Sequence, residues 1–261
     1  MKHVVMFSGG VGSWGAARRV ADTHGTDDLV LLFTDTLIED EDLYRFLKEG
    51  AQDIGVEYLH LADGRTPWQV FEDVRYLGNS RAAPCSHILK QKQARNWVEA
   101  NCDPADTTLY VGIDWTESHR LEGAQKGWAP WRVEAPLCEP PLVTKADLLA
   151  DLEARGIAAP RLYGMGFAHN NCGGGCVRSG QGQFALLHEK LPETYAKWRA
   201  GEQRIREFLG KDVAILRDRS GGKVTPLPLD EFEKRIAKKN YDEFEFGGCA
   251  CFLDVEEEAI A

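Results

Sequence analysis

The chain has 261 residues, 43% of them apolar, which suits one large α/β domain, or a domain with an appendage, whose core needs no covalent staples. Its 31 basic residues against 41 acidic ones leave a net charge of −10, which disfavours broad non-specific nucleic-acid binding while leaving room for a local basic face. No apolar run of roughly 18 residues occurs and the first residues already read as a strand, so a cytoplasmic protein with no membrane partner is expected; its seven cysteines then point to metal or redox chemistry rather than a disulfide framework.

In chain order, a short apolar run over residues 3–7 ends in Ser8-Gly9-Gly10-Val11-Gly12-Ser13 and passes into a helical segment over 14–23. Strand, glycine turn and helix in that order build an anion site. The glycines let backbone N–H groups of Ser8, Gly9, Gly10, Gly12 and Ser13 converge, the two serines add hydroxyls, and the positive end of the helix faces the guest, most simply a phosphate. The spacing is neither a Walker loop nor the dinucleotide fingerprint, and a ligand-free strand-to-helix turn is the plain alternative. Strands are then expected over 29–33, 57–61 and 108–113, with helices over 40–54, 68–76 and 88–100. Thr144 and Asp147 form the start of a further helix ending near Gly156. This alternation predicts a twisted parallel sheet with helices on both faces, Rossmann-like, over residues 1–160. Residues 161–261 read as a Gly- and Cys-rich extension: glycines crowd 164–182, helices follow over 183–188 and 193–209, a strand over 213–216 and a turn over 217–222. The tail after Asn240 is acidic apart from Cys249 and Cys251.

Five short blocks carry a family resemblance. Besides the Ser-Gly-Gly-x-x-Ser loop, they are Leu31-Leu32-Phe33-Thr34-Asp35-Thr36, Pro84-Cys85-Ser86-His87-Ile88-Leu89-Lys90, the block from Gly112-Ile113-Asp114 through Ser118-His119-Arg120, and Leu162-Tyr163-Gly164-Met165-Gly166-Phe167 followed by Cys172 and Cys176. Their order and separation resemble the phosphoadenosine phosphosulfate reductase-like branch of the PP-loop superfamily. The resemblance implies an adenine nucleotide, ATP or phosphoadenosine phosphosulfate, bound by the glycine loop, with Asp35 and Thr36 near the nucleoside and Lys90, Gly112, Ser118 and Arg120 around the phosphate or sulfate. Arg120 would act as the anion clamp. Three departures stand out. ATP-cleaving PP-loop enzymes carry Asp before the last Ser of the loop, where it helps hold magnesium; this chain has Gly12. The family's Arg in the Gly-x-Arg block is Asp114. The C-terminal Glu-Cys-Gly-Leu-His motif with the reductase nucleophile is absent, and Gly248-Cys249-Ala250-Cys251-Phe252 stands in its place.

In Asn170-Asn171-Cys172-Gly173-Gly174-Gly175-Cys176 the glycines free the backbone to bring two sulfurs together, and thiolates select zinc or iron–sulfur clusters. By the resemblance, Cys85, Cys172, Cys176 and Cys249 or Cys251 would hold a [4Fe–4S] cluster, zinc being the alternative metal and inert thiols the plain one. Whichever of Cys249 and Cys251 is not a ligand would be the nucleophile. Cys102 and Cys138 lack such context and read as structural. Lys90, Lys92 and Arg95 could steer an anion or line a solvated face. His119 and His169 could be acid–base groups or structural histidines. Trp115, Trp128 and Trp131 could stack a base or fill the core. Three functions follow: sulfur reduction or transfer on an adenine nucleotide, ATP-dependent thiolation of a base or nucleic acid through an adenylated intermediate, or a nucleotide-binding module with a structural metal and no catalysis. A redox or sulfur-donor protein and a homodimer are compatible with the first two.

Overall fold

The computed structural model describes residues 1–220 and 222–245. Five parallel strands form its main sheet in the order β3-β2-β1-β4-β5, where β1 is Lys2–Met6, β2 Leu29–Asp35, β3 Tyr58–Ala62, β4 Thr107–Tyr110 and β5 Arg132–Glu134. Val4, Val5, Met6 and Leu31 to Phe33 are essentially inaccessible, because a parallel sheet is covered on both faces and its central strands must be apolar throughout. The chain runs outward from β1 to β3 and then returns to place β4 on the other side of β1. That reversal opens a crevice between the carboxyl ends of β1 and β4, where α/β sheets bind their ligands.

Helix α1 (Val11–His24) and α2 (Glu41–Ile54) cover one face with α6 (Lys145–Ala154), burying Trp14, Phe46, Leu47 and Leu152 against the sheet. The other face carries α4 (Lys92–Asn101) and α5 (Leu121–Trp128) through Ala94, Val98, Ala124 and Trp128. Trp128 and Trp131 are thus core residues, whereas Trp115 is 40% exposed. The start expected for α6 is present as a reciprocal capping box: the Asp147 amide donates to Thr144 Oγ1 at 3.2 Å, and the Thr144 amide donates to Asp147 Oδ2 at 2.7 Å.

The third core belongs to the C-terminal part. α8 (Gln181–Lys190), α9 (Pro192–Leu209) and α10 (Leu229–Ala237) pack Phe184, Tyr195, Trp198 and Phe232 with the antiparallel pair β6 (Leu216–Asp218) and β7 (Thr225–Leu227). It is completed from the first half of the chain by Phe71 of α3 (Pro67–Asp73), Leu77 and Ala83, and by Leu162 of the one-turn α7 (Arg161–Gly164). Cys85 and Cys172 pack into this same core. The expected helix over 88–100 begins earlier, as a π-helical turn Ser86–Gln91 that runs into α4. The expected strand over 213–216 is displaced to β6. None of the described helices is long and apolar enough to cross a membrane.

Candidate nucleotide and thiol site

The loop over residues 8–13 sits at the crevice. Gly9 takes φ +77°, a left-handed backbone that L side chains rarely adopt, and Gly10 caps α1 in an extended conformation. Among the described residues, the amides of Ser8, Gly9, Gly10, Gly12 and Ser13 have no backbone acceptor, and only the Val11 amide has a protein partner, a long 3.4 Å bond to Tyr163 Oη. The loop therefore turns a row of unspent donors toward one point at the positive end of a 14-residue helix. The Ser13 hydroxyl is not among them, since it donates to Gly10 O at 2.8 Å and braces the loop. Gly12 and Gly112 touch backbone to backbone: a Cβ on Gly12 would lie 2.9 Å from Gly112 O, and one on Gly112 would lie 2.7 Å from the Ser13 amide nitrogen. This contact explains the missing aspartate, because no side chain fits between the start of α1 and the end of β4. It also gives Gly112 a packing role beside the loop.

The second block folds into a polar knot at the end of β2. Asp35 is buried and accepts from Tyr44 Oη at 3.0 Å and from the Leu37 amide at 2.7 Å, and lies 3.0 Å from His60 Nε2. Burial, then the Asp35 charge, push the Tyr44 hydroxyl well above its usual range. Thr36 donates to Glu39 Oε1 at 3.0 Å, and Lys90 Nζ lies 3.1 Å from the same oxygen. Glu39 and Lys90 have nearly inaccessible side chains, and the other Glu39 oxygen accepts from the Cys172 amide. Glu39 thus joins β2, the π-helical turn and the cysteine loop. Such a buried pair is held by hydrogen bonding on all sides, and removing one partner is costly.

Cys172 adopts φ +54°, followed by Gly173 at +59° and Gly174 at +87°. A Cβ on Gly174 would meet Phe167 at 2.8 Å and one on Gly175 would meet Trp198 at 2.3 Å, so the glycines let the loop press against aromatic walls. The result is two adjacent thiols. Cys172 donates to Cys176, and that bond, then burial, then the Glu39 charge raise the Cys172 thiol well above its ordinary value. Cys176 Sγ also accepts from the Arg178 amide at 3.4 Å. Buried Asn170 connects this loop to the first one by donating from Nδ2 to Gly9 O at 2.9 Å, while its Oδ1 has no partner among the described residues. His169 Nδ1 is likewise buried without one. Burial, then the charges of Lys90 and Lys145, lower the His169 ring to about 4, so it is neutral at pH 7. Lys145 donates to Ala168 O at 2.6 Å and lies 4.0 Å from the centroid of the Tyr163 ring, at the rim of the glycine loop.

Of the residues expected from sequence, the structure gathers Ser8 to Ser13, Gly112, Lys90, Cys172 and Cys176 around one crevice. Arg120 pairs with Glu117 at 2.7 Å on the 3-10 segment Trp115–Arg120, where Ser118 and His119 are exposed. Cys85 sits at the start of the π-helical turn, half-buried beside the third core. Among the described residues no three His, Cys, Asp or Glu side chains converge to hold a metal ion. Cys172 and Cys176 supply two thiol donors, and Cys249 and Cys251 lie outside the described residues. A four-cysteine cluster is therefore not assembled by the described side chains. Glu39, Lys145, Tyr163 and Asn170 were not singled out as site residues, and only Tyr163 carried a signal, as part of the Leu-Tyr-x-x-Gly-Phe block.

No protein-family model and no curated protein matches the chain. Solved structures are similar, three of them as follows. A phosphoadenylyl-sulfate reductase from Candida auris in a phosphate complex is 12% identical, covering 64% of this chain and 79% of that one at a TM-score of 0.43. A U34-tRNA thiolase from Methanococcus maripaludis with its [4Fe–4S] cluster is 16% identical over 79% of this chain and 73% of that one, at 0.44. An NH3-dependent NAD synthetase from Campylobacter jejuni in complex with nitrate is 12% identical over 80% and 87%, at 0.39. At these scores the likenesses carry no chemistry to this chain, whose own residues must do so.

Proposed function

We propose that the protein is a PP-loop enzyme that binds the phosphates of an adenine nucleotide on residues 8–13 and carries out sulfur reduction or transfer with vicinal thiols. The observation that carries this reading is the Asn170 bridge: the residue two before Cys172 is bonded to Gly9 of the anion loop, so the nucleotide end and the sulfur pair belong to one site. The five sequence blocks with phosphoadenosine phosphosulfate reductase-like spacing support the same substrate class. In the reaction, the Cys176 thiolate attacks the sulfur of the sulfonucleotide. The bond from sulfur to the bridging phosphate oxygen breaks, and the nucleotide leaves with the electron pair. The Cys172 thiolate, once its proton has left, attacks the Cys176 sulfur, releasing sulfite and leaving a disulfide that an external dithiol must reduce. Lys145 and the free loop amides would neutralise the departing phosphate.

The missing Glu-Cys-Gly-Leu-His motif favours a second reading, ATP-dependent thiolation, in which AMP and pyrophosphate are released. Cys85 with Cys172, Cys176 and Cys249 or Cys251 as ligands of a [4Fe–4S] cluster, or of zinc, belongs with that second reading, since the first uses Cys172 and Cys176 as free thiols. Magnesium lacks its usual carboxylate at Gly12. The experiment is turnover under anaerobic conditions with phosphoadenosine phosphosulfate or ATP and a dithiol, following sulfite against pyrophosphate, together with iron, acid-labile sulfide and zinc analysis. Sulfite release that Cys176→Ser abolishes supports the first reading. Pyrophosphate release with either nucleotide-dependent acceptor thiolation or cluster iron supports the second, and no turnover of either nucleotide supports a non-catalytic module.

A further inference from the structure

Almost every arginine among the described residues is matched to a carboxylate or a carbonyl, or, for Arg75, to the Phe208 ring. Arg81, Arg178 and Arg217 are not: none makes a side-chain hydrogen bond or ion pair with a described residue, and the Nε atoms of Arg178 and Arg217 are buried without a partner among the described residues. Two carboxylates of the same neighbourhood are already engaged. Asp218 is held by Arg235 at 2.6 Å and by Ser220, and Glu245 is held by Arg219. The three residues come from one neighbourhood. Gly78 lies against Val177, so close that a Cβ there would be 3.2 Å from Val177 Cγ2, which sets the 78–81 segment on the turn that carries Arg178. Arg217 O accepts from Gln181 Nε2 at 2.9 Å, joining β6 to the end of that turn. Burial, then the like charges of Arg81 and Arg219, lower the Arg217 guanidinium. Ser179, 3% exposed, adds a buried hydroxyl with no partner among the described residues.

A buried guanidinium nitrogen with no acceptor, as at Arg178 and Arg217, is costly unless an anion joins it, and exposed Arg81 adds a like charge beside Arg217. We propose that Arg81, Arg178, Arg217 and Ser179 form a second anion site, distinct from residues 8–13, that takes a phosphate group. Guanidinium forks pair two phosphate oxygens at once, and a hydroxyl donates to a third. The Arg178 amide donates to Cys176 Sγ, so the site is covalently continuous with the thiol pair. A phosphate seated there would hold the second reactant, the sulfur acceptor or donor, beside the sulfur. That last role rests on the proposed function, whereas the anion site itself does not. The phosphate could be the phosphodiester of a single strand or the monoester of a small molecule.

The test uses the full chain and two probes, a fluorescein-labelled single-stranded oligonucleotide followed by anisotropy across salt concentrations, and inorganic phosphate followed by calorimetry. ATP titration serves as the control for residues 8–13. Three phosphate contacts predict a slope of log K against log salt of about −2 for the single strand, and Arg81→Gln/Arg217→Gln reduces it by roughly 1.4. The same variant loses at least about tenfold in affinity while ATP affinity and melting temperature hold, since no protein partner is removed. Arginine-dependent binding of phosphate without the strand assigns the site to a monoester; binding of the strand assigns it to a phosphodiester. Equal affinity of parent and variant for both probes, binding of neither probe, or unfolding of the variant overturns the proposal. Loss of ATP binding by the parent, with the arginine dependence intact, would overturn the nucleotide reading alone.

Discussion

Glu202 of α9 offers the sharpest stability test. It is 1% exposed and accepts from the Ile215 amide at 2.8 Å and the Leu229 amide at 2.6 Å, tying β6 and α10 to α9. Burial raises its carboxyl from 4.5 to about 7 despite those two donors. Because the folded value lies above the unfolded one, the folded state holds the proton longer. The associated stability is complete below pH 4.5 and is lost as pH rises to about 7. At about 1.4 kcal/mol per unit, the loss is roughly 3 kcal/mol. His169 has the opposite sign: its ring is lowered from 6.5 to about 4, so stability is lost as pH falls from 6.5 through 4, again by roughly 3 kcal/mol. The two windows overlap, and the parent should be nearly flat between pH 4.5 and 6.5. Glu202→Gln keeps one acceptor, turns an NH2 toward the other amide at a cost of about 1–3 kcal/mol, and removes the falling limb. The variant should be less stable than the parent near pH 4.5 and should gain on it up to pH 7, its own curve rising through the histidine window. Urea unfolding midpoints across that range measure this. Parallel curves for parent and variant would refute the assignment.

Gly12→Asp should destabilise the fold by about 1–3 kcal/mol without creating magnesium-dependent ATP hydrolysis, because its Cβ meets Gly112 O at 2.9 Å; a stable variant that hydrolyses ATP would show that the two loops can part. Asn170→Ala leaves Gly9 O without its donor and should cost about 1–2 kcal/mol by thermal melting, and it should weaken nucleotide binding; unchanged affinity would mean that the cysteine loop does not hold the glycine loop in place. Arg120→Lys should leave the melting temperature alone, since the Glu117 pair is partly exposed and contributes under about 1 kcal/mol, while lowering nucleotide affinity in a calorimetric titration. Equal affinity would reduce Arg120 to a surface ion pair.

The parallel sheet was legible because its central strands are continuously apolar and its helices carry local punctuation, as the Thr144 and Asp147 capping box shows. β5 was not, since only three residues, two of them charged, complete it, and α10 over Leu229–Ala237 was assigned no element. The glycine loop and the cysteine pair were visible as spacing. Their junction was not. Asn170 reaches Gly9 across 161 positions and Glu39 reaches Cys172 across 133, and neither residue type announces such a contact locally. Gly12 shows the converse: its departure from the ATP-cleaving pattern was plain in sequence, but the reason, a backbone contact with Gly112, exists only once β1 and β4 lie side by side.

The most direct measurement is a calorimetric titration of the parent and of Gly10→Val with ATP and with phosphoadenosine phosphosulfate. A Cβ at position 10 lies 3.2 Å from Tyr163 Oη, at the mouth of the donor row. The parent should bind at least one of the two nucleotides, and the variant should bind it at least about tenfold more weakly while still melting cooperatively. A parent that binds neither, or a folded variant with the parent's affinity, would contradict the nucleotide site.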